Sequence, residues 1–519
     1  MDREHARTVV LRRVFPVCSP MVTACFPPDP CRPAPPADHK DAMNATFSAT
    51  ERELTIHQRG LVDASLEEGE ILSAISLLDQ MRSQHTLPPI IHLRLLIYIC
   101  LVPPAEDFVD LLLEKQTGTE PLSPRKLAKK TANPITPAVV AAAHTLLFSY
   151  ILTNSPAAIA RALPSPPNRA DPDIDIESTL VQDASCISKA QTCWDILQVG
   201  FTTIPRPDFS TPKLSRIKRR RPSPERLEPS DTHFQDDNGF VSEHAWKVLN
   251  WLLSVFERDE ELRQKSSSSQ TPLLVDQISF IHGQSSIRWI LDPPLTVIFQ
   301  ALKQTEPDRK QMGARLLSLL VQLSFTAHLD QSAFVSAILR RLPSLSLPDL
   351  TEFLSLFGGS PQSLRIKIAL CYQLITGTPR DDSVSNATSS RAQPRAVRKQ
   401  RNQLDHATPT FQNAGFISTK DLPNPTEILT AVEVQTNNFV ASPPEITLRK
   451  LQKDLIMAYG TFYAGPGNDG HQKQEWIVLL RSGEIRQRLV NWMSTIGDND
   501  WDQRYMISVI QLWEQSLLR

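Results

Sequence analysis

The chain has 519 residues and carries 55 Lys and Arg against 56 Asp and Glu, which gives a formal net charge of −1 at pH 7. This length allows about three domains of the usual size. The chain has 42 prolines but only 17 glycines, and phosphate-binding loops, tight hairpins and nucleophile elbows all depend on glycine. The composition therefore argues against Rossmann enzymes, P-loop enzymes and all-β folds, and the prolines indicate disordered linkers between folded segments.

Hydrophobic periodicity and proline content divide the chain into segments. Stretches with apolar residues at helical spacing predict three helical blocks, and stretches rich in Pro, Ser, Asn or Arg without that spacing predict disordered linkers. No convincing strand is found. The predicted segments are a disordered Pro-rich N-terminus at 1–50, an N-terminal helical block at 51–200, a disordered basic linker at 201–238, a central helical block at 239–377, a disordered linker at 378–425 and a C-terminal helical block at 426–519.

Apolar stripes and proline breaks predict individual helices within these blocks. The N-terminal block is expected to contain a helix with the stripe Leu72, Ile75, Leu78 and Met81, and further helices at 90–102, 105–114, 137–153 and 178–197. The central block is expected to contain a helix with the stripe Val241, Ala245, Val248, Leu252 and Val255, and further helices at 273–281, 295–302, 309–324, 331–342, 349–357 and 363–375. The C-terminal block is expected to end in three helices, the last with the stripe Trp501, Tyr505, Val509, Leu512 and Trp513.

Helix pairs of ~30–45 residues joined by proline turns predict an all-α fold of α-solenoid-like stacked helical hairpins, HEAT/TPR-like in build. One stretch, 56–90, also fits a known hairpin pattern. The matching residues are Leu61, Val62, Gly69, Ala74, Leu77, Leu78, Met81 and Pro88. In this stretch the chain resembles a pentatricopeptide unit, which implies two antiparallel helices. Gly60 and Ile90 stand where that family presents base-reading polar side chains, and no clean second copy follows, so we interpret the stretch as a helical hairpin rather than an RNA reader.

Cysteine usage indicates the redox compartment of the protein, and hydropathy indicates whether a segment spans a membrane. The seven cysteines include no C-x-x-C pair, which favours a reducing compartment over a disulfide framework. Residues 131–160 carry no charge, but Pro134, Pro137 and Pro156 leave fewer apolar residues than the ~20 that a spanning helix needs. We therefore expect a buried core helix here and no membrane partner.

Motifs for catalysis or metal binding are weak. Residues 465–470 satisfy G-x-G-x-x-G, yet Pro466 removes an amide donor, Asp469 adds an anion, and both flanks are predicted helices; a dinucleotide loop needs a preceding strand. The twelve histidines show no zinc spacing. We expect no catalytic residue, no cofactor and no metal site, hence no enzyme, with a site dispersed over distant residues as the alternative.

The informative feature is a basic cluster in the linker. Its cations are Lys213, Arg216, Lys218, Arg219, Arg220 and Arg221. Pro222 follows them, and a proline-flanked linker cannot neutralise them by burial. Such a segment fits an importin groove, contact with nucleic-acid phosphates, or a plain solvated charge run. We favour nuclear import, and expect nucleic acid to be contacted only through this linker and two smaller basic clusters near 125–130 and 391–401.

Two serines lie beside basic clusters in Ser-Pro-x-basic patterns typical of proline-directed kinases. They are Ser123, followed by Pro124-Arg125-Lys126, and Ser223, followed by Pro224-Glu225-Arg226. A phosphate adds about −1.5 to −2 charges next to the cations. We therefore hypothesise that phosphorylation at these serines weakens the use of the basic clusters.

Taken together, these features favour a non-catalytic nuclear scaffold or adaptor that binds protein partners in a multi-subunit complex of chromatin, DNA repair, chromosome segregation or transcription. Long helical stacks offer extended surfaces for such partners, and docking is expected along 239–377, with the C-terminal aromatic helices as a second contact. Most tryptophans are expected in the core, with an exposed few as partner anchors. The alternative is a helical-repeat RNA-binding protein, possibly organellar, based on the hairpin at 56–90 and on the N-terminal arginines Arg7, Arg12 and Arg13.

Overall fold

A computed structural model describes ten stretches of the chain. These stretches are 52–104, 135–164, 178–203, 239–266, 270–282, 287–376, 422–433, 445–465, 470–496 and 500–517. They are mostly helical, which confirms the all-α fold class. The predicted N-terminal segment 1–50, the predicted helix 105–114 and most of both predicted linkers lie outside the described residues.

Local capping signals explain where the N-terminal helices begin. Thr55 and Gln58 form a capping box at the start of the first helix, and Thr136 accepts a hydrogen bond from the Val139 N–H before Pro137 opens another. Gly69, at φ +81°, makes the turn between the first two helices. The helices are α1 (Ile56–Glu67), α2 (Ile71–Gln80), α3 (Ile90–Leu101), α4 (Pro137–Thr153), α5 (Pro156–Ala160), α6 (Thr179–Ala184), α7 (Cys186–Lys189) and α8 (Cys193–Ile196). Two short strands, β1 (Arg52–Glu53) and β2 (Thr86–Leu87), form a parallel pair. In the chain, β1 precedes α1 and β2 follows α2.

The central region follows the same rules of capping and proline breaks. Asp330 and Ser346 cap two of its helices with their side chains. The helices are α9 (Ala245–Ser266), α10 (Leu273–Asp276), α11 (Asp292–Leu302), α12 (Pro307–Ser324), α13 (Gln331–Leu339), α14 (Leu347–Ser355) and α15 (Pro361–Thr376). An antiparallel pair, β3 (Phe280–His282) with β4 (Ile287–Trp289), lies between α10 and α11 in the chain.

The C-terminal region contains the last five described helices. They are α16 (Pro425–Glu433), α17 (Glu445–Ala464), α18 (His471–Arg481), α19 (Glu484–Ile496) and α20 (Asp500–Leu517). The G-x-G-x-x-G stretch falls between α17 and α18, so helices flank it on both sides, as predicted.

The core of the described residues is continuous from α1 to α20. The indole N–H of Trp251 in α9 donates to the Leu147 carbonyl in α4 at 3.0 Å, and Lys367 in α15 pairs with Asp454 in α17 at 3.0 Å. Helices of the three predicted blocks therefore contact one another, and Glu51–Arg519 forms one compact unit. The block boundaries themselves stay predictions.

The described part of the apolar stretch, 135–160, contains α4, a core helix as predicted, and the short helix α5. Val140, Leu147 and Tyr150 are among the buried residues of α4. Among the described residues, no helix combines the length and the apolar character needed to cross a bilayer.

Three predicted helices differ clearly from the observed ones. The helix whose stripe was predicted to include Val241 begins at Ala245, and Val241 pairs with Gln198 in an isolated antiparallel bridge. The predicted helix at 178–197 is three short helices, because Ser185 and Ser188 donate to nearby carbonyls and Asp195 accepts from the Thr192 N–H at 2.9 Å, which starts a new helix. The predicted helix at 273–281 ends at Asp276 and is followed by β3, whose neighbour Ser279 accepts from the Ile290 N–H at 2.8 Å. The described residues thus contain two small strand pairs that the sequence did not predict.

Candidate protein-binding surface

The residues predicted to carry the nuclear and regulatory function lie outside the described residues. They are Lys213, Arg216, Lys218, Arg219, Arg220 and Arg221 for import, and Ser123 and Ser223 for phosphorylation. What the structure does describe is the pair of chain ends on either side of 204–238.

These two chain ends are joined by backbone pairing. The Val199 N–H donates to the Phe240 carbonyl at 3.1 Å, and the Ser242 N–H donates to the Leu197 carbonyl at 2.9 Å. The Gln300 side chain of α11 accepts from the Val241 N–H at 2.6 Å and donates to the Val241 carbonyl at 3.1 Å. The described residues on either side of the segment with the basic cluster are therefore held together by one backbone bridge.

Buried nucleophiles among the described residues are packed core groups. Burial raises the pKa of the Cys100 thiol and of the Cys371 thiol to about 12, and raises the pKa of Cys193 well above its ordinary value. A thiol is a nucleophile or metal ligand only as the thiolate, which burial disfavours here. Within the described ranges, no three His, Cys, Asp or Glu side chains come together as a metal site.

Charged side chains of the central helices are engaged between helices. Arg315 of α12 forms a two-point ion pair with Glu257 of α9 at 2.6 and 2.7 Å, and it also contacts Asn250 and Ser254. A guanidinium with this many fixed acceptors positions one helix against another. The central region, where we predicted a docking surface, thus uses this cation for internal packing.

The C-terminal helix α20 has two apolar stripes instead of one. Met506, Ile510 and Trp513 are buried in the core. Of the predicted stripe, Trp513 belongs to this buried set and Val509 is half-buried, whereas Tyr505 is 42% exposed and Leu512 is 61% exposed. Residues 505 and 512 are two turns apart on one side of the helix, so part of the predicted stripe faces solvent.

Helices α17 and α20 lie side by side and run parallel, as three contacts along their length show. The Lys453 ammonium lies 5.7 Å from the Tyr505 ring centre, and the Ser516 hydroxyl donates to the Ala464 carbonyl at 3.4 Å. Between these levels the Trp513 ring lies directly over Gly460, where a Cβ atom would collide with it. The close approach therefore depends on glycine at this position.

One exposed large apolar side chain of α17 is described, Ile446, which is 69% exposed. It lies about two turns before Lys453, which contacts Tyr505, so it precedes the level at which α20 begins at Asp500.

Most tryptophans are core residues, as predicted. Trp289 and Trp492 are half-buried, whereas the buried ones are Trp194, Trp246, Trp251, Trp476 and Trp513. The side chain of Trp501 is not among those described.

Sequence reasoning missed the buried Gln277, which is 4% exposed. Its side-chain amide accepts a hydrogen bond from the Cys193 N–H at 2.8 Å and donates one to the Pro164 carbonyl at 3.0 Å. Its backbone carbonyl accepts a hydrogen bond from the Trp194 indole N–H at 2.7 Å. The sequence signal is weak, since Gln277 is one of three polar residues in the mostly apolar stretch 273–281.

Comparison with known proteins adds no assignment: no family model, no curated protein and no solved structure matches this chain. The described residues define the class of the protein as all-α.

Proposed function

We propose that this protein is a non-catalytic nuclear scaffold or adaptor that binds protein partners through an α-solenoid-like helical surface. The observation that carries the proposal is the order of the helix contacts. Among the main contacts, α1 packs on α2, and α2 and α3 pack on α4. Helices α3, α4 and α5 pack on α9, and α9 packs on α12. Helix α12 packs on α15, α15 packs on α17, and α17 contacts α16 and α20. Main contacts that advance with the chain are typical of stacked helical hairpins.

The nuclear part of the proposal rests on the basic cluster and on its place in the chain. An importin groove needs several Lys and Arg stems presented away from folded surfaces. Pairing of Val199 with Phe240 and of Leu197 with Ser242 fixes the start and end of the segment that contains the cluster. This supports presentation of Arg219, Arg220 and Arg221 to an importin from one defined point.

Regulation by phosphorylation is part of the same proposal. A phosphate on Ser223, two residues after Arg221, places negative charge against the cluster and weakens its binding to an acidic groove. In cells, Ser223→Glu is expected to lower nuclear accumulation and Ser223→Ala to preserve it. Equal nuclear fractions for both variants rule out the switch. Ser123→Glu, beside the smaller cluster, provides the comparison.

Affinity purification of the tagged full chain from nuclear extract, with and without nuclease, tests the scaffold proposal. We expect the same set of nuclear proteins, from one assembly, to co-purify in near-stoichiometric amounts in both samples. Loss of all partners after RNase treatment, with RNA recovered from the untreated sample, would instead support the RNA-binding alternative, and an absence of any stoichiometric partner would contradict both.

A further inference from the structure

We propose that two copies of this chain associate through the outward side of α1, with their two α1 helices antiparallel about a two-fold axis. This contact goes beyond the proposed scaffold function, since it joins two copies of the chain rather than the chain and a partner. Three features of α1 support it: a largely apolar outward side, two small residues at the centre of that side, and charges of opposite sign toward its two ends.

The side of α1 that faces away from the core is largely apolar. Only Val62 and Leu66 of this helix are buried. The exposed residues of α1 are Ile56, His57, Gly60, Leu61, Ala64 and Glu67. At about 100° per residue they occupy one arc of about 140°, opposite the buried pair. Ile56 is 84% exposed and Leu61 is 46% exposed, whereas the solvent side of a surface helix is normally polar.

No other helix of the described chain accounts for this apolar side. The main helix contact of α1 among the described residues is with α2, and it is made by the opposite side of α1, where Val62 and Leu66 are buried. Helix α1 is also the first described helix in the chain. The terminal helices of a stack need a polar outer face to stay soluble as monomers, and α1 does not have one.

Gly60 and Ala64 lie about one turn apart at the centre of the outward side. A Cβ atom at Gly60 would meet no described atom within 4 Å, so packing inside the described chain does not require glycine here. Glycine inside a helix nevertheless costs about 0.5–1 kcal/mol relative to alanine. A facing helix would use the missing Cβ, because small residues let two helix axes approach to the short end of the usual range of about 8–10 Å.

An antiparallel arrangement makes this side complementary to itself. The two-fold axis passes at the level midway between Gly60 and Ala64, so each Gly60 faces Ala64 of the second copy. Leu61 is close to the same level, and the two Leu61 side chains meet beside the axis. Ile56 of each copy covers the aliphatic part of Glu67 of the other.

The charges near α1 favour the antiparallel orientation. Residues 52–59 contain Arg52, His57 and Arg59 with one glutamate, whereas residues 60–81 contain five acidic residues and no Lys or Arg. On the outward side, His57 lies in the first turn and Glu67 in the last, and both are exposed. Antiparallel pairing places the basic end of each copy against the acidic end of the other and also opposes the helix dipoles favourably.

The same charges disfavour other occupants of this surface. A parallel pair of α1 helices would place the acidic ends of both copies together, where like charges repel. A nucleic-acid backbone would likewise meet the exposed carboxylates Glu67, Glu68 and Glu70, and phosphate binding requires Lys and Arg. A second copy in the antiparallel orientation is the occupant that satisfies both ends.

The size of the contact predicts its strength. Helix α1 has 12 residues, so it is about 18 Å long and offers less than the ~800 Å² per partner of a standard stable interface. We therefore expect a weak dimer in reversible equilibrium with the monomer. A two-fold contact closes on itself, so no larger oligomer is expected.

Sedimentation equilibrium of the full chain from about 1 to about 100 µM is the test, a range that covers a weak interface of this size. We expect a reversible monomer–dimer equilibrium. Gly60→Glu should weaken the dimer at least about tenfold, because a side chain at this position has room in the monomer but not between two helices. Ser73→Glu, the same added charge at an exposed position of α2, should leave the dimer unchanged.

A charge exchange tests the antiparallel orientation. His57→Glu should weaken the dimer, since it places a carboxylate against Glu67 and Glu68 of the second copy. The triple variant His57→Glu/Glu67→Lys/Glu68→Lys should restore the dimer, because opposite charges again face each other at both ends. All three substitutions suit the helix dipole of α1, and circular dichroism checks that each variant is folded.

Four results would overturn the inference. They are a monomer at every concentration, a dimer that Gly60→Glu leaves intact, equal effects of Gly60→Glu and Ser73→Glu, and failure of the triple variant to regain the dimer that His57→Glu weakens. The last result would exclude the antiparallel orientation, and the second would assign the dimer contact to another surface.

Discussion

At the scale of single residues, Gln277 shows how a polar side chain can hold distant segments together. Its side-chain amide bridges the Cys193 N–H and the Pro164 carbonyl, both of which are otherwise enclosed in the core with it. A buried backbone donor or acceptor without a partner costs about 1–3 kcal/mol. The amide therefore contributes to stability mainly by leaving neither group unpaired.

Replacing this glutamine is expected to destabilise the fold. Gln277→Ala leaves two buried backbone groups without partners and should lower the free energy of unfolding by about 2–4 kcal/mol, seen as a lower melting midpoint. The matched control is Gln80→Ala at an exposed position of α2, which should change the midpoint little. Equal midpoints for the two variants would show that the Gln277 bridge is not formed.

A second residue-scale prediction concerns pH. Burial, with a smaller contribution from the nearby Lys247 charge, lowers the pKa of His144 below its ordinary 6.5, and its Nε2 is buried without a hydrogen-bond partner. The imidazole of residue 144 therefore binds a proton more readily in the unfolded chain than in the folded chain. The free energy of unfolding is unaffected by this protonation above pH 6.5, and it decreases as the pH falls toward the pKa of His144 in the folded chain.

The melting midpoint is expected to fall when the pH is lowered from about 7.5 to about 5.5, and His144→Phe should reduce this fall. The phenyl ring keeps the contact with Phe148, whose ring centre lies 4.8 Å from the imidazole. His57→Phe, on the exposed side of α1, serves as the control. If His144→Phe and His57→Phe keep the same pH dependence, burial of His144 does not couple to stability.

At the scale of elements, two glycines of the α1–α2 hairpin allow helix propensity and turn geometry to be measured separately. A Cβ atom at Gly60 or Gly69 would meet no atom within 4 Å, but Gly60 lies inside α1 and Gly69 has φ +81°. Alanine should therefore stabilise the first position by about 0.5–1 kcal/mol and destabilise the second by about 1 kcal/mol. Hydrogen exchange of α1 and α2 measures both effects; changes of the same sign would contradict the hairpin geometry.

Local signals predicted some elements better than others. The helix Pro137–Thr153 was predicted to the residue. Thr136 caps its start, Pro137 fits its first turn, and no other local signal interrupts its apolar run. The stretch 178–197 was predicted as one helix because its apolar residues keep helical spacing, while the Ser185, Ser188 and Asp195 side chains that divide it compete through hydrogen bonds that periodicity does not report.

The buried side of α20 could be predicted only in part, for a related reason. The apolar stripe of α20 is visible in the sequence, but Tyr505 and Leu512 alternate with Met506 and Trp513, and the buried side is chosen by the position of Gly460 on α17. That choice is a property of two helices together. The bridge between Val199 and Phe240 likewise joins residues on either side of a long linker, which no local pattern connects.

At the scale of the whole molecule, the main helix contacts advance along the chain. We therefore expect a core substitution to destabilise only the helices near it. Leu78→Ala in α2 removes a buried side chain and should cost about 2–5 kcal/mol near it. Hydrogen exchange should then accelerate in α1, α2 and the contacting α4, and not in α18 to α20.

The matched variant at the other end is Leu480→Ala in α18, also at a buried leucine. It should accelerate exchange in α18 and its contacting helices α16, α19 and α20, and not in α1 or α2. Uniform acceleration by either variant would mean that the described helices unfold as one cooperative unit, against a stacked architecture.

The net charge of the whole chain indicates which segments can meet an anionic partner. The net charge is −1, although the predicted linkers contain concentrated basic clusters, so the helical regions are acidic on balance. This favours linker cations, rather than the helix surfaces, as the groups that meet an importin or a phosphate backbone.

The most direct measurement is quantitative imaging of the tagged full chain beside Arg219→Ala/Arg220→Ala/Arg221→Ala, with Arg391→Ala/Arg395→Ala/Arg398→Ala as the charge-matched control. The account predicts nuclear accumulation of the unaltered chain and of the control, and loss of accumulation in the first variant. Cytoplasmic or mitochondrial residence of the unaltered chain would contradict it, as would nuclear accumulation that does not depend on the cluster.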